Sequence, residues 1–246
     1  MKVFIGFDDT DAINATYGTG KVVRWFSAQM PKGCRPQGVV RQQLLVDAAI
    51  PYTSHNSAAC MVLDIPCPDR VPPLIAKAVE HLQHYAAVGS DPGLCVALEN
   101  SPALPALMAF GRRCTHAVTC QAEARRAACG AHLSGHGGTN DGIIGAAAAV
   151  GLTASGWSGR YIEWGDLRNA PEIMTVAEIQ GRAIEVVAEE RDARLPAPED
   201  RVLTNRWLRP RLLGHRPVLL VRPREEGVWE NIYGKRRKTA ARQACR

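Results

Sequence analysis

Apolar and β-prone side chains fill positions 3 to 7, with Gly6 the one small member, which predicts a short buried strand at the start of the chain. Val22, Val23, Trp25, Phe26 and Met30 recur at helical spacing and predict a helix ending near Pro31 and Gly33. Gly38 to Val46 and Ala58 to Ile65 read as two strands of a hairpin with a long polar connection. Pro66, Pro68, Pro72 and Pro73 mark a boundary, and Leu74 to Tyr85 has helical periodicity. Ser90 to Gly93 is a turn by composition, and Leu94 to Leu98 a strand behind it. The alanine-rich segments 102–110 and 117–129 read as helices, and Ile143 to Val150, apolar throughout, as a buried one. Farther on the pattern weakens. Arg160 to Trp164 reads as a strand, and Thr175 to Glu190 as an amphipathic helix with Thr175 and Glu178 at capping-box spacing. Pro217 to Arg222 is a strand that Val228 to Tyr233 pairs with across Glu225, Glu226 and Gly227.

Composition adds bounds rather than identity. The 246 residues suffice for one large or two small domains, with 46% hydrophobic and 22% charged side chains. No apolar run reaches the roughly 20 residues of a membrane span, and no export signal opens the chain, so the expectation is a cytoplasmic protein. The net charge of +6 comes from a tail, 235–246, that carries Lys235, Arg236, Arg237, Lys238, Arg242 and Arg246 without an acid. Such a tail reads as solvated and disordered, or as an arm for phosphates. Aromatic residues are sparse and do not alternate with basic ones, so no single-strand stacking platform is visible. The eight cysteines include no Cys-x-x-Cys and read as reduced, buried hydrophobes. Cys114, His116, Cys120, Cys129, His132 and His136 form the one cluster in which a zinc site is conceivable, with His116 and Cys120, and His132 and His136, each sharing a helix face.

Two stretches carry candidate chemistry. Asp8, Asp9 and Asp11 crowd the end of the first strand, where three carboxylates repel one another unless a cation joins them; a solvated acidic turn is the plain alternative. Gly18, Thr19, Gly20 and Lys21 follow as a glycine turn into the first helix. The second stretch runs from His132 to Gly142. Its glycines, Gly137 and Gly138 among them, with Thr139, Asn140 and Asp141, lead into the N-terminus of the apolar helix, a cradle for phosphate, and Asn140 or Asp141 caps it. Neither standard nucleotide motif is met. His55 and Asn56, at the tip of the hairpin, are positioned to face the acidic loop, and Arg41 is a weaker phosphate partner.

The opening IGFDDTD, Ile5 to Asp11, resembles the start of the TiaS family, the tRNA isoleucine 2-agmatinylcytidine synthetases. Three further matches follow in order: Ile50-Pro51-Tyr52, Pro92-Gly93 ahead of an apolar run, and Gly142 to Gly151, similar to the family's GLIGALAAVG. The resemblance implies an α+β protein in which a kinase-like α/β domain, 1–65 with 132–170, binds ATP and Mg²⁺. A ferredoxin-like domain built from discontinuous segments, 66–131 with 171–234, would accompany it. It implies metal-binding and catalytic roles for Asp8, Asp9 and Asp11, and nucleotide contacts at Thr10, Gly142 and Gly145. The family's OB-fold and zinc ribbon have no counterpart here, and Thr53 to His55 and Asn140-Asp141 stand where the family has basic residues. Three readings follow: an ATP- and Mg²⁺-dependent enzyme with a small amine or hydroxyl acceptor, a tRNA-modifying enzyme that uses agmatine with its RNA held by a partner, and a non-catalytic nucleotide-binding protein.

Overall fold

The computed structural model describes residues 1–51, 53, 55–190 and 195–232. Two compact units are present, one of residues 1–165 with 211–217 and one of residues 166–210 with those from 218 onward.

The first unit opens with β1 (Lys2–Asp8), α1 (Thr19–Ser27), β2 (Arg35–Gln43), β3 (Ser57–Asp64), α2 (Val71–Tyr85) and β4 (Gly93–Leu98). The order β4-β1-β3-β2, antiparallel throughout, makes these six elements a split β-α-β arrangement. There follow α3 (Leu104–Arg113), α4 (Gln121–Ala127), β5 (His132–Gly135), α5 (Gly142–Ser155) and β6 (Arg160–Glu163). Strand β5 extends the sheet beside β4, and β6, then the short strand Arg211–Leu213, extend it beyond β2.

Both faces of this sheet are covered. On one, Val23 and Phe26 of α1 and Leu74, Ala78 and Leu82 of α2 pack on Val3, Ile5, Phe7, Met61 and Leu63. On the other, α5 lies against Phe4, Cys60 and Cys95, with Leu107 and Phe110 of α3 and Ala124 of α4 outside it. Helix α5 is apolar all round because it is enclosed all round. Its closeness to the sheet requires glycine. A Cβ on Gly6 would fall 2.3 Å from the Ala146 carbonyl oxygen, and one on Gly151 would fall 1.9 Å from that of Leu107 in α3.

The second unit contains β7 (Ile173–Thr175), α6 (Val176–Gln180), β8 (Glu185–Ala188) and β9 (Arg201–Leu203). After β10, the Arg211–Leu213 strand of the first unit, come β11 (Arg216–Glu225) and β12 (Val228–Asn231). Strand β12 lies antiparallel to β11 and parallel to β9, β7 is antiparallel to β9, and β8 is parallel to β11. Met174, Ile179, Val202, Leu219 and Trp229 are buried in this unit, and the Asp200 carboxylate accepts the Trp229 indole N–H at 2.7 Å.

Most predicted elements of the first unit occur within a few residues of their expected bounds, but two expectations of local structure fail. Segment 66–131 shares a compact unit with 1–65, in which β4 pairs directly with β1 and α3 packs on α5. The helix expected over Thr175 to Glu190 ends at Gln180. Its capping box forms, with Thr175 Oγ1 accepting from the Glu178 N–H at 3.2 Å and the Glu178 carboxylate accepting from the Thr175 N–H at 2.7 Å. Ala183 then turns at φ 57°, and Val186 and Val187 pair with Leu219 and Leu220, so tertiary pairing overrides the helical pattern. Residues His132 to Gly135, read as the start of the glycine-rich stretch, form a strand, β5. Tyr52, Tyr233 and the basic tail 235–246 lie outside the described residues. Among the described residues no helix is long and apolar enough to cross a membrane.

Gly6→Ala should lower stability by about 1–3 kcal/mol, since backbone rather than a movable side chain blocks the new methyl group. Gly20→Ala, in α1, meets only the Ile162 Cδ1 atom and should change stability by less than about 1 kcal/mol. Urea denaturation midpoints of the two variants check the contrast.

Candidate functional site

Strand β1 carries Asp8 at its C-terminal end, and Asp9, at φ 51°, reverses the chain there. The N-terminus of α5 presses onto the same place. A Cβ on Gly145 would fall 1.8 Å from an Asp8 carboxylate oxygen, and one on Gly142 would fall 2.1 Å from the Asp91 carbonyl oxygen. Gly93 meets Gly142 just as closely from the β4 side. These contacts put the acidic loop and the glycine-helix segment in one cleft of about 1340 Å³ within the first unit.

Among the described residues five carboxylates line it: Asp8, Asp9, Asp11, Asp91 and Asp141. Burial first, then Asp9 and Asp11, push the Asp8 carboxyl up to about 8, against one backbone hydrogen bond from Asp9 that lowers it. Burial first, then Asp91, Asp11 and Asp141, push Asp9 up to about 6. Both shifts have the sign of negative charge confined without a compensating cation. Among the described lining residues there is no Lys or Arg. Asp11 accepts a hydrogen bond from the Thr53 hydroxyl at 3.1 Å.

The remaining predicted site residues divide between the cleft and its supports. Thr19, His55, Asn56, Thr139, Asp141, Gly142 and Gly145 line the cleft. Thr10 does not: it is fully buried, and its hydroxyl and its N–H both donate to Thr19 Oγ1, at 3.0 and 3.3 Å. Thr10 therefore holds the start of α1 against the acidic loop from outside the lining. Gly18 and Gly20 are also outside the lining, and Lys21 is turned away, its ammonium 5.0 Å from the Trp25 ring centroid. Arg41 is absent from the lining and donates to Ser57 Oγ at 3.0 Å. Asn56 is tied down by its amide, which donates to the Leu45 carbonyl.

The glycine loop already holds an anion of the protein's own. Asp91 accepts from the Thr139 N–H at 3.1 Å and from the Thr139 hydroxyl, while its carbonyl accepts from the Gly142 N–H at 3.2 Å. The N–H groups of Asn140, Ile143 and Ile144 close turns within the segment, so these expected phosphate donors are engaged locally. Gly138 at φ 49° and Asn140 at φ 66° supply the bend, and Gly137 fits under the Ser90 carbonyl. Gly137, Gly138 and Asn140 thus shape the loop from outside the lining. Asp91 is the residue that the sequence reading passes over, having taken Ser90 to Gly93 as a turn. Its signal was its position directly before the Pro92-Gly93 match.

Apolar side chains also line the cleft, among them Leu44, Ile50, Pro51, Ala117 and Ile144. Ile13, Val88 and Val118, at 85%, 100% and 51% exposure, stand at its rim. Among the described residues no three His, Cys, Asp or Glu side chains gather at metal-ligating spacing. The conceivable zinc cluster is dispersed: Cys114 is buried against the Thr119 hydroxyl, Cys120 precedes α4, and Cys129 is exposed. Neither of the expected helical pairings occurs. His116 and Cys120 lie between α3 and α4, and His132 and His136 lie on and just after a strand.

This chain is similar in fold to three crystal structures. They are a tRNA fluorescent labeling enzyme (23% identity, TM-score 0.53), apo TiaS, a tRNA agmatidine synthetase (22%, 0.52), and a complex of TiaS with tRNA and ATP (23%, 0.53). Each match covers 61% of this chain and 35–36% of the other, so the chain shares a fold with little more than a third of those proteins. No protein-family model matches the chain, and no curated protein does.

Because the folded-state carboxyls of Asp8 and Asp9 titrate above an unfolded aspartate, their contribution to stability is complete below about pH 4. It is lost as pH rises through about 6 for Asp9 and about 8 for Asp8. In a chelating buffer the melting temperature should therefore fall between about pH 5 and about pH 9. Asp8→Asn should flatten that fall and stabilise the protein at about pH 9 by on the order of a few kcal/mol, read from melting curves and urea titrations across the range.

Proposed function

We propose that the first unit is the catalytic unit of an ATP- and Mg²⁺-dependent, TiaS-like enzyme, acting by phosphoryl transfer or ATP-driven condensation on a small amine or hydroxyl acceptor. The observation that carries this reading is the meeting of Asp8, Asp9 and Asp11 with the N-terminus of α5 in one cleft. The fold likeness to TiaS bound to tRNA and ATP, and to TiaS bound to tRNA, AMPCPP and agmatine, supports it. On this reading the ferredoxin-like module is residues 1–98, because the split β-α-β run lies there.

The donor set suits magnesium better than zinc or calcium. Mg²⁺ is commonly held by one or two carboxylates together with phosphate oxygens and water, so a three-residue protein cage is not needed. Asp8 and Asp9, whose ionisation is costly in isolation, are the first candidates for holding it, with Asp11 beside them. When bound, the ion supplies charge neutralisation to the phosphate oxygens. Around it, the chain's own groups divide the work. Gly142 and Gly145 bring the N-terminal end of α5 to the anionic centre, where its dipole favours negative charge. Thr53 orients Asp11, and the apolar side chains of the lining receive the body of the acceptor and exclude water.

One observation favours a second reading, a nucleotide-binding protein without turnover: the described lining has no Lys or Arg to stabilise charge developing in transfer. A tRNA acceptor modified with agmatine would draw on the tail 235–246, which lies outside the described residues.

ATP turnover measured with Mg²⁺ over a panel of small amines and alcohols separates these readings. Asp8→Asn should reduce turnover by roughly a hundredfold or more while the protein stays folded. Unchanged turnover in that variant overturns the assigned site. A nucleotide-induced rise in melting temperature with no turnover across the panel favours the second reading.

A further inference from the structure

His132 and Ser134 occupy alternate positions on β5, and His136 continues the alternation just past its end, so their side chains project to one side of the sheet. Their cross-strand neighbours Val96 and Leu94 identify that side as the one covered by α1 and α2. Among the described strands β5 pairs only with β4, so this triplet lies at the sheet's edge, and all three residues are partly exposed. The Ser134 hydroxyl oxygen is 2.8 Å from His132 Nε2 and 2.8 Å from His136 Nε2. Two imidazole nitrogens are thereby brought within a few ångströms of each other around one oxygen.

A serine hydroxyl has one proton to give. With both rings neutral, one Nε2 accepts that proton, and the other must carry its own hydrogen and donate it to the oxygen. The rings are thus held in opposite tautomers by a single hydroxyl. Burial lowers the proton affinity of both imidazoles, and the second ring lowers that of His132 further, so the neutral forms that ligate metals dominate at neutral pH.

We infer that His132 and His136 form a site for a borderline divalent transition metal, such as Ni²⁺, Zn²⁺ or Co²⁺, with Ser134 beside it and water completing the coordination. Nitrogen donors from imidazole select this class over Mg²⁺ or Ca²⁺, which prefer oxygen. Binding requires both rings to present an Nε2 lone pair, so the donating ring shifts its hydrogen to Nδ1 and the Ser134 hydroxyl turns aside. No net proton is released from the neutral pair. The site is separate from the acidic cleft, whose lining contains none of the three residues.

Titration of the full chain with Ni²⁺ or Zn²⁺, read by imidazole ¹⁵N resonances and by calorimetry, tests this. The expected result is one ion per chain that shifts the Nε2 signals of both His132 and His136, while Mg²⁺ leaves them unmoved. His132→Ala and His136→Gln should each weaken that binding by at least about tenfold. The glutamine variant can retain a hydrogen bond to Ser134, so a loss there reports ligation and not local packing; melting curves verify that both variants fold. Affinity should also fall as pH drops and protons compete for the rings. Equal affinity in wild type and variants, or shifts confined to other residues, would overturn the proposal, as would the absence of any shift at millimolar metal.

Discussion

Close approach of one helix to the sheet governs this unit. Helix α5 lies so near β1 and β4 that Gly6, Gly93, Gly142 and Gly145 each have backbone or a carboxylate where a side chain would begin. That contact buries the longest apolar run of the chain. It also brings the positive end of a helix to the point where β1 releases two consecutive aspartates. Packing and chemistry therefore share the same constraint: a larger residue at Gly142 or Gly145 would push the helix away from the core and from the carboxylates alike.

The cost of that arrangement is electrostatic. Asp8 is buried beside Asp9, and Asp91 and Asp141 add to the field from the facing loop. The glycine loop responds by gripping Asp91 through Thr139, so part of its donor capacity is already committed to an internal anion. A cleft built this way has a strong preference for positive charge, and any polyanionic ligand must enter together with cations. The absence of Lys and Arg from the described lining makes that dependence more complete than it would be in a site with a basic clamp.

Local patterns made much of the first unit legible. The apolar run at positions 3 to 7, the Ala58 to Ile65 strand and the uniformly apolar α5 each carry a signal that burial explains. Asp8, Asp9 and Asp11 were readable as a cluster because they are close neighbours in sequence. Asp91 was not, since its partners lie about 50 residues away and only sheet pairing brings them near. Thr10 and Lys21 show the converse, residues inside a functional-looking motif that lie outside the cleft lining, one supporting the acidic loop and the other packed by its ammonium on Trp25. In the second unit the pattern at Val186 and Val187 was compatible with helix or strand, and pairing with β11 decided it.

The strand order has a consequence for how the chain is made. Strand β1 precedes β3 and β4 in the chain yet lies between them in the sheet, so its two hydrogen-bonding edges wait until Asp64 and then Leu98 have emerged. The helix that seals the other face arrives later still, ending at Ser155. Until then the face of β1 turned away from α1 and α2 lacks its native cover, and before Leu98 has emerged the mutual repulsion of the carboxylates at its end disfavours edge-to-edge pairing between neighbouring nascent chains. The same aspartates that burden the finished cleft thus act as gatekeepers while it is being assembled.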